Sequence, residues 1–165
     1  MMKIAVIGAG QMGNGIAQVA ASAGYEVLMV DIKEEYVDRG MATIQKSLTK
    51  LVSKERISQS DADDTLNRIS TTTDRGECAD VDLVVEAVPE ILDLKTSIFS
   101  ELDDICKPEC ILASNTSSIS ISTIANATNR PEKVIGMHFM NPVPIMKLVE
   151  IINGDQTSEA TNSAV

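Results

Sequence analysis

The sequence predicts an α/β fold: a doubly wound, mostly parallel sheet with a helical hairpin inserted after its first strand–helix–strand unit. Three observations predict it. Short, almost unbroken apolar runs alternate with helical stretches along the chain, as strands covered on both faces require. The first run, Lys3–Ile7, leads directly into the glycine-rich turn Gly8–Gly13. The 165 residues suffice for one domain with one insertion and a proper core.

Lys3-Ile4-Ala5-Val6-Ile7 is the first strand, ended by Gly8. A helix follows from about Met12 to Ala23, with Gly24 as its stop, and Glu26–Val30 makes a second strand closed by Asp31. Strand, turn, helix and strand within about 30 residues form one βαβ unit. Charged helical sequence then runs from Glu34 to about Val52, and a second helix from about Ser60 to Asn67. Together they read as a hairpin over about 34–68, longer than a simple crossover requires. Ile69–Thr72 is a weak strand and Asp82–Val88 a strong one. A helix over Leu92–Ile105, a strand over Cys110–Ser114, a short helix near Ile121–Ala127 and a strand over Val134–Phe139 follow. Met146–Ile152 is the last strand candidate. The sheet domain is therefore expected over 1–153. Residues 154–165 read as a helical region begun and not completed, so the sequence is expected to be truncated there.

Composition narrows the function. Hydrophobic residues make up 44% and there is no Trp, so packing relies on aliphatic side chains and Met. The longest apolar runs, such as Ile4–Ile7 and Leu83–Val85, fall far short of the about 20 residues that cross a bilayer. The start, Met1-Met2-Lys3-Ile4, leads straight into a strand without a signal-peptide pattern. Cys78, Cys106 and Cys110 form no metal-ligand spacing with the single histidine. An odd cysteine count without an export signal points to reduced thiols and a cytoplasmic location. A net charge of −10 argues against nucleic acid as a partner.

Gly8-Ala9-Gly10-Gln11-Met12-Gly13 has the spacing of a dinucleotide turn between a strand and a helix. Gly8 permits the tight turn, Gly10 lets the backbone approach a pyrophosphate, and Gly13 allows close helix–strand packing. The helix N-terminus offers free N–H groups to the phosphates. Asp31 closes the second strand where its carboxylate can accept from both ribose hydroxyls, which favours NAD over NADP. No arginine follows Asp31 to welcome a 2′-phosphate, although nearby Lys33 weakens the preference slightly. A βαβ turn that binds nothing is the plainer alternative.

His138, the only histidine, ends the apolar strand from Val134, on the side where ligands of such sheets bind. Glu150 interrupts the apolar run Lys147–Ile152, where an unpaired carboxylate would be costly. If the two strands lie side by side across Asn141-Pro142-Val143-Pro144, Glu150 can reach the imidazole. Such a pair suits alcohol oxidation: Glu150 fixes the tautomer, and His138 takes the hydroxyl proton while hydride leaves for a nicotinamide. A strand-end histidine in a surface hydrogen bond is the other reading. Ser114-Asn115-Thr116-Ser117-Ser118 follows a strand and can position a substrate oxygen, or simply cap the next turn.

Gly8–Gly13 with Asp31, Val84-Val85-Glu86-Ala87-Val88-Pro89-Glu90, Ser114–Ser118 and His138-Phe139-Met140-Asn141-Pro142 together resemble the NAD-binding Rossmann domain of 3-hydroxyacyl-CoA dehydrogenases, in particular the 3-hydroxybutyryl-CoA type. The resemblance runs in order from Lys3 to about Asn153. It implies reversible NAD-dependent oxidation of 3-hydroxyacyl-CoA to 3-oxoacyl-CoA, a step of fatty acid β-oxidation. His138 is then the general base and Glu150 its partner, while Ser117 and Asn141 hold the substrate's 3-oxygen and the reactive end of the cofactor. Gly8, Gly10, Gln11, Met12, Gly13 and Asp31 would hold NAD, and Glu90 and Lys95 match further NAD contacts. Ser47 and Lys54 match contacts to coenzyme A. Lys46, Lys50 and Lys54 recur every four residues beside Ser47, a cationic ridge that suits phosphates, though it also reads as a solvated helix face. The family's C-terminal helical domain, which supplies most of a homodimer interface, is absent from the sequence. A related hydroxy-acid dehydrogenase of the L-gulonate type and a non-catalytic NAD-binding module are the competing readings.

Overall fold

A computed structural model describes residues 2–165. In chain order its elements are β1 (Lys3–Ile7), α1 (Gln11–Ser22), β2 (Glu26–Val30), α2 (Glu34–Ser53), α3 (Gln59–Asn67), β3 (Ile69–Thr72) and β4 (Leu83–Glu86). There follow α4 (Leu92–Ile105), β5 (Ile111–Ser114), α5 (Ile121–Ala125), β6 (Val134–Phe139), β7 (Val149–Asn153) and α6 (Glu159–Ala164). Among the described residues the strands form one sheet in the order β3-β2-β1-β4-β5-β6-β7. All pairs are parallel except β6–β7. The strand order reverses between β1 and β4, and that switch point opens a crevice beyond the strands' carboxyl ends.

The alternation of side chains along β1 builds both halves of the core. Ile4 and Val6 pack with Ile16, Val37, Ile44 and Leu48 from α1 and α2. Ala5 and Ile7 point the other way, to the layer formed by Ile98, Phe99 and Leu102 of α4 with Ile124 of α5. Each large aliphatic or aromatic side chain buried in this way contributes about 1.5–3 kcal/mol. The α2–α3 hairpin covers the first layer through Ile44, Leu48 and Ala62, while its outer face stays charged. A capping box fixes the start of α3: Ser58 accepts from the Asp61 N–H, and the Asp61 carboxylate accepts from the Ser58 N–H.

Three strands differ from their sequence-based spans. Asp82–Val88 shortens to Leu83–Glu86 because the Val88 N–H turns to the Glu86 carboxylate at 2.7 Å and leaves the ladder. Cys110 drops out of β5 because its N–H closes a turn on the Lys107 carbonyl. Met146–Ile152 becomes Val149–Asn153, since the Ile145 and Met146 N–H groups both turn back onto the Pro142 carbonyl. Residues 154–165, read from the sequence as the start of a further region, pack onto the sheet body. Thr157 donates to the Val134 carbonyl and Thr161 to that of Glu132, and Ser158 caps α6. Two 3-10 turns, Arg75–Asp80 and Pro131–Lys133, were not foreseen. The first is seeded by Asp74 accepting from the Gly76 N–H, a local pattern the sequence does carry.

Candidate active site

The crevice at the switch point has a volume of about 810 Å³. Its floor is the glycine turn. Gly8 has φ +107°, a conformation that favours glycine, and its N–H donates to the Val30 carbonyl. A Cβ on Gly13 would lie 1.8 Å from the Gly8 carbonyl oxygen, so α1 can meet the turn only through glycine. A Cβ on Gly10 would meet nothing within 4 Å: it would project into the crevice itself. α1 begins there with no side-chain cap and no acid in its first turn, leaving its first N–H groups free for an anion. Asp31 reaches back from the end of β2, accepting from the N–H of Ala9 at 2.8 Å and of Ile32 at 2.7 Å. These two bonds hold the carboxylate at the crevice wall. The bare backbone, free amides and fixed carboxylate fit a dinucleotide.

Arg39 and Arg75 also line the crevice near Asp31, which the sequence did not reveal because neither follows Asp31 directly. Both are engaged: Arg39 with Glu35 at 2.8 Å and Arg75 with Glu101 at 2.7 Å. The Lys33 ammonium lies 5.5 Å from the centre of the Tyr36 ring.

At the opposite end of the crevice stands His138. The antiparallel turn-back of β7 pairs His138 directly with Glu150 across the strands, and Nδ1 lies 3.0 Å from the glutamate Oε1. A carboxylate can only accept, so the contact suits an imidazole that donates from Nδ1, the tautomer that leaves Nε2 as the acceptor when the ring is neutral. β6 ends at Phe139, whose N–H donates to the Asn115 side chain at 2.8 Å. That bond ties the end of the histidine strand to the loop after β5. Ser117 and Asn141 line the same crevice as His138, and the Gln11 amide donates to Asn141 Oδ1 at 3.2 Å. The cofactor turn and the imidazole therefore share one cavity.

A buried ionic network supports the Ser117 loop. Glu86, wholly buried at the end of β4, accepts from Lys95 Nζ at 2.6 Å, Ser114 Oγ at 2.6 Å and the Val88 N–H at 2.7 Å. Lys95, 1% exposed, also meets Glu90 at 3.1 Å and the Val88 carbonyl at 3.1 Å. Its three N–H donors are thus all taken. Lys95 lines and braces the crevice wall. Glu90 Oε2 in turn accepts from Thr116 Oγ1 at 2.8 Å, Ser118 Oγ at 3.0 Å and the Ser117 N–H at 3.3 Å. Partial burial pushes the Glu90 carboxyl up, but the hydrogen bonds from Thr116, Lys95 and Ser118 outweigh it and hold it down to about 2. Glu86 was missed as a site residue because an acid within Val84-Val85-Glu86-Ala87-Val88 looks like any other strand position.

Ser47 and Lys54 lie outside the crevice lining, on the hairpin helix α2 and its C-cap. Lys46, Lys50 and Lys54 are exposed on that helix and, among the described residues, make no ion pair.

Strand order, glycine turn and crevice define a Rossmann dinucleotide-binding domain. Residues 3–165 match the family model described as "3-hydroxyacyl-CoA dehydrogenase, NAD binding domain". The chain belongs to that family, and its cofactor is NAD. It is 56% identical over 161 residues to a probable 3-hydroxybutyryl-CoA dehydrogenase of Deinococcus radiodurans, covering 97% of this chain and 57% of that protein. It is 47% identical to the 3-hydroxybutyryl-CoA dehydrogenase of Clostridioides difficile, with 99% and 58% covered. The crystal structure of (S)-3-hydroxybutyryl-CoA dehydrogenase from Ralstonia eutropha superposes with a TM-score of 0.97 at 46% identity, over 99% of this chain and 58% of that one. The chain spans a little over half the length of these relatives.

Proposed function

We propose that this chain forms the cofactor-binding part of an enzyme that reversibly oxidises 3-hydroxyacyl-CoA to 3-oxoacyl-CoA. The observation that carries the reading is His138, lining the same cavity as the glycine turn and held 3.0 Å from Glu150 behind it. Glu150 holds the imidazole so that Nε2 faces the crevice. There Nε2 takes the proton of the 3-hydroxyl as its oxygen becomes a carbonyl. NAD, when bound, supplies the acceptor for the hydride that leaves the same carbon. Ser117 and Asn141 orient the 3-oxygen and the cofactor's reactive end, and the Glu86–Lys95–Glu90 network keeps the Ser117 loop in place. Asp31 supports NAD over NADP, because a 2′-phosphate would face its carboxylate.

An acyl-CoA is favoured over a free hydroxy acid by the unpaired lysines of α2 with Ser47 and Lys54, since a sugar acid brings no phosphates. The three free, buried cysteines favour a reducing, cytoplasmic setting. No helix among the described residues is long and apolar enough to cross a membrane. The family resemblance supports a homodimer of the whole protein.

Acetoacetyl-CoA reduction by the complete protein, followed at the NADH absorbance, tests the reading. His138→Gln should lower turnover by about 10²–10⁴-fold and leave NADH affinity nearly unchanged. Activity on a sugar acid with none on any acyl-CoA would overturn the substrate, and full activity of the variant would remove His138 as base.

A further inference from the structure

We propose that Gln18, which neither the glycine turn nor the acid–imidazole pair uses, is a positioning residue for the coenzyme A end of the substrate. It fixes the Ser47 hydroxyl as an outward-facing donor. This rests on the reading of an acyl-CoA substrate above.

Gln18 lies on α1 and is 3% exposed. Its Nε2 donates to Ser47 Oγ at 3.0 Å where α1 packs on α2. Burying an amide is unfavourable unless it is used, and an alkyl side chain of equal size would pack the two helices without that cost. The other Ser and Thr residues of α2 show what a hydroxyl does there by default. Thr43, Thr49 and Ser53 each donate to a carbonyl of their own helix, at 3.0, 2.9 and 2.9 Å. Those bonds consume the hydroxyl hydrogen. Ser47 makes no such bond among the described residues, and an amide N–H occupies its oxygen from the inner side. Its hydrogen makes no bond among the described residues and is available to a ligand acceptor. The nearest neighbours along this face, Lys46, Lys50 and Lys54, are cations without an ion pair among the described residues. A pinned hydroxyl donor beside free ammonium groups fits an acceptor-only anion, and the phosphates of coenzyme A are such acceptors.

The test compares acetoacetyl-CoA with acetoacetyl-pantetheine, which keeps the thioester but lacks the adenosine phosphates, using the complete protein. Gln18→Met, of similar size, should raise KM for the CoA thioester about fivefold, on the order of 1 kcal/mol. The pantetheine thioester KM, kcat and NADH affinity should stay as they are. Ser47→Ala should give the same pattern, and the double variant should be no worse than Ser47→Ala alone. Gln18→Glu keeps the size but accepts the Ser47 hydrogen inward. It should reproduce the selective loss even if the methionine variant fails to fold. An equal rise in both KM values, a loss of NADH affinity, or additive effects in the double variant would reduce Gln18 to helix packing and overturn the inference. No acyl-CoA turnover by the wild-type protein would overturn both readings. Turnover with an unchanged thioester ratio in the variants would overturn this one alone.

Discussion

Lys95, 1% exposed, is held by Glu86, Glu90 and a carbonyl, so removing one member strands another in the interior. Lys95→Met leaves the Glu86 carboxylate buried without its cation and should cost about 3–5 kcal/mol in urea unfolding. Glu86→Gln in the same chain should restore part of that loss, and a single-variant loss under about 1 kcal/mol would mean the pair is not coupled. Glu90 gives a pH signature. Its folded carboxyl, held at about 2, lies below its ordinary 4.5, so its contribution is present above about pH 4.5 and is lost as pH falls towards 2. Glu90→Gln should flatten the stability profile in that window, and an unaltered acid limb would contradict the Thr116 and Ser118 bonds. At this scale the sequence was legible where a residue type is rare in its setting. A lone histidine at a strand end and an acid inside Val149–Ile152 stand out. Glu86 and Gln18 did not, because their meaning lies in partners that only the folded chain supplies.

Among the elements, the glycine turn separates binding from folding. Gly10→Ala adds a methyl group where nothing stands within 4 Å, so the fold should hold while NADH affinity falls about tenfold or more, near 1.4 kcal/mol. Gly13→Ala forces a Cβ to 1.8 Å from the Gly8 carbonyl and should destabilise the domain itself by about 3 kcal/mol or more. Calorimetric titration and thermal melting of the two variants check the contrast. It would fail if both variants lost only affinity. Gly136 does similar work in β6, since a Cβ there would approach the Ile152 Cβ to 2.9 Å and the Ile121 side chain to 3.1 Å. Gly136→Ala should push β7 away and lower turnover through the His138–Glu150 register, with NADH binding retained. Helix and strand positions were readable from apolar periodicity, with β1, β2, β3 and β6 matching at both ends. Strand ends failed where a side chain or a turn carbonyl took the N–H group, as at Val88, Cys110 and Met146. Such competition leaves little trace in periodicity.

Across the whole molecule, the doubly wound, mostly parallel sheet followed from the alternation of strands and helices. The reversed direction of β7 did not, because a short apolar strand reads alike in either sense. The thiols report on this body as a whole. Burial pushes Cys78 up to about 12, and Cys106 and Cys110 are also buried. Native protein should therefore react slowly with a disulfide reagent at neutral pH, and unfolded protein should expose all three cysteines promptly. Fast labelling of the native form would contradict the packing. The reversal also leaves β7 as a rim strand, with Ile151 and Ile152 at 37% and 40% exposure beside Glu150. Such a rim invites another copy to add its own strand, and a charge within it is what keeps copies apart. For these 165 residues, Glu150→Val should raise light scattering at micromolar concentration, whereas Glu150→Lys, equally unable to orient His138, should stay dispersed.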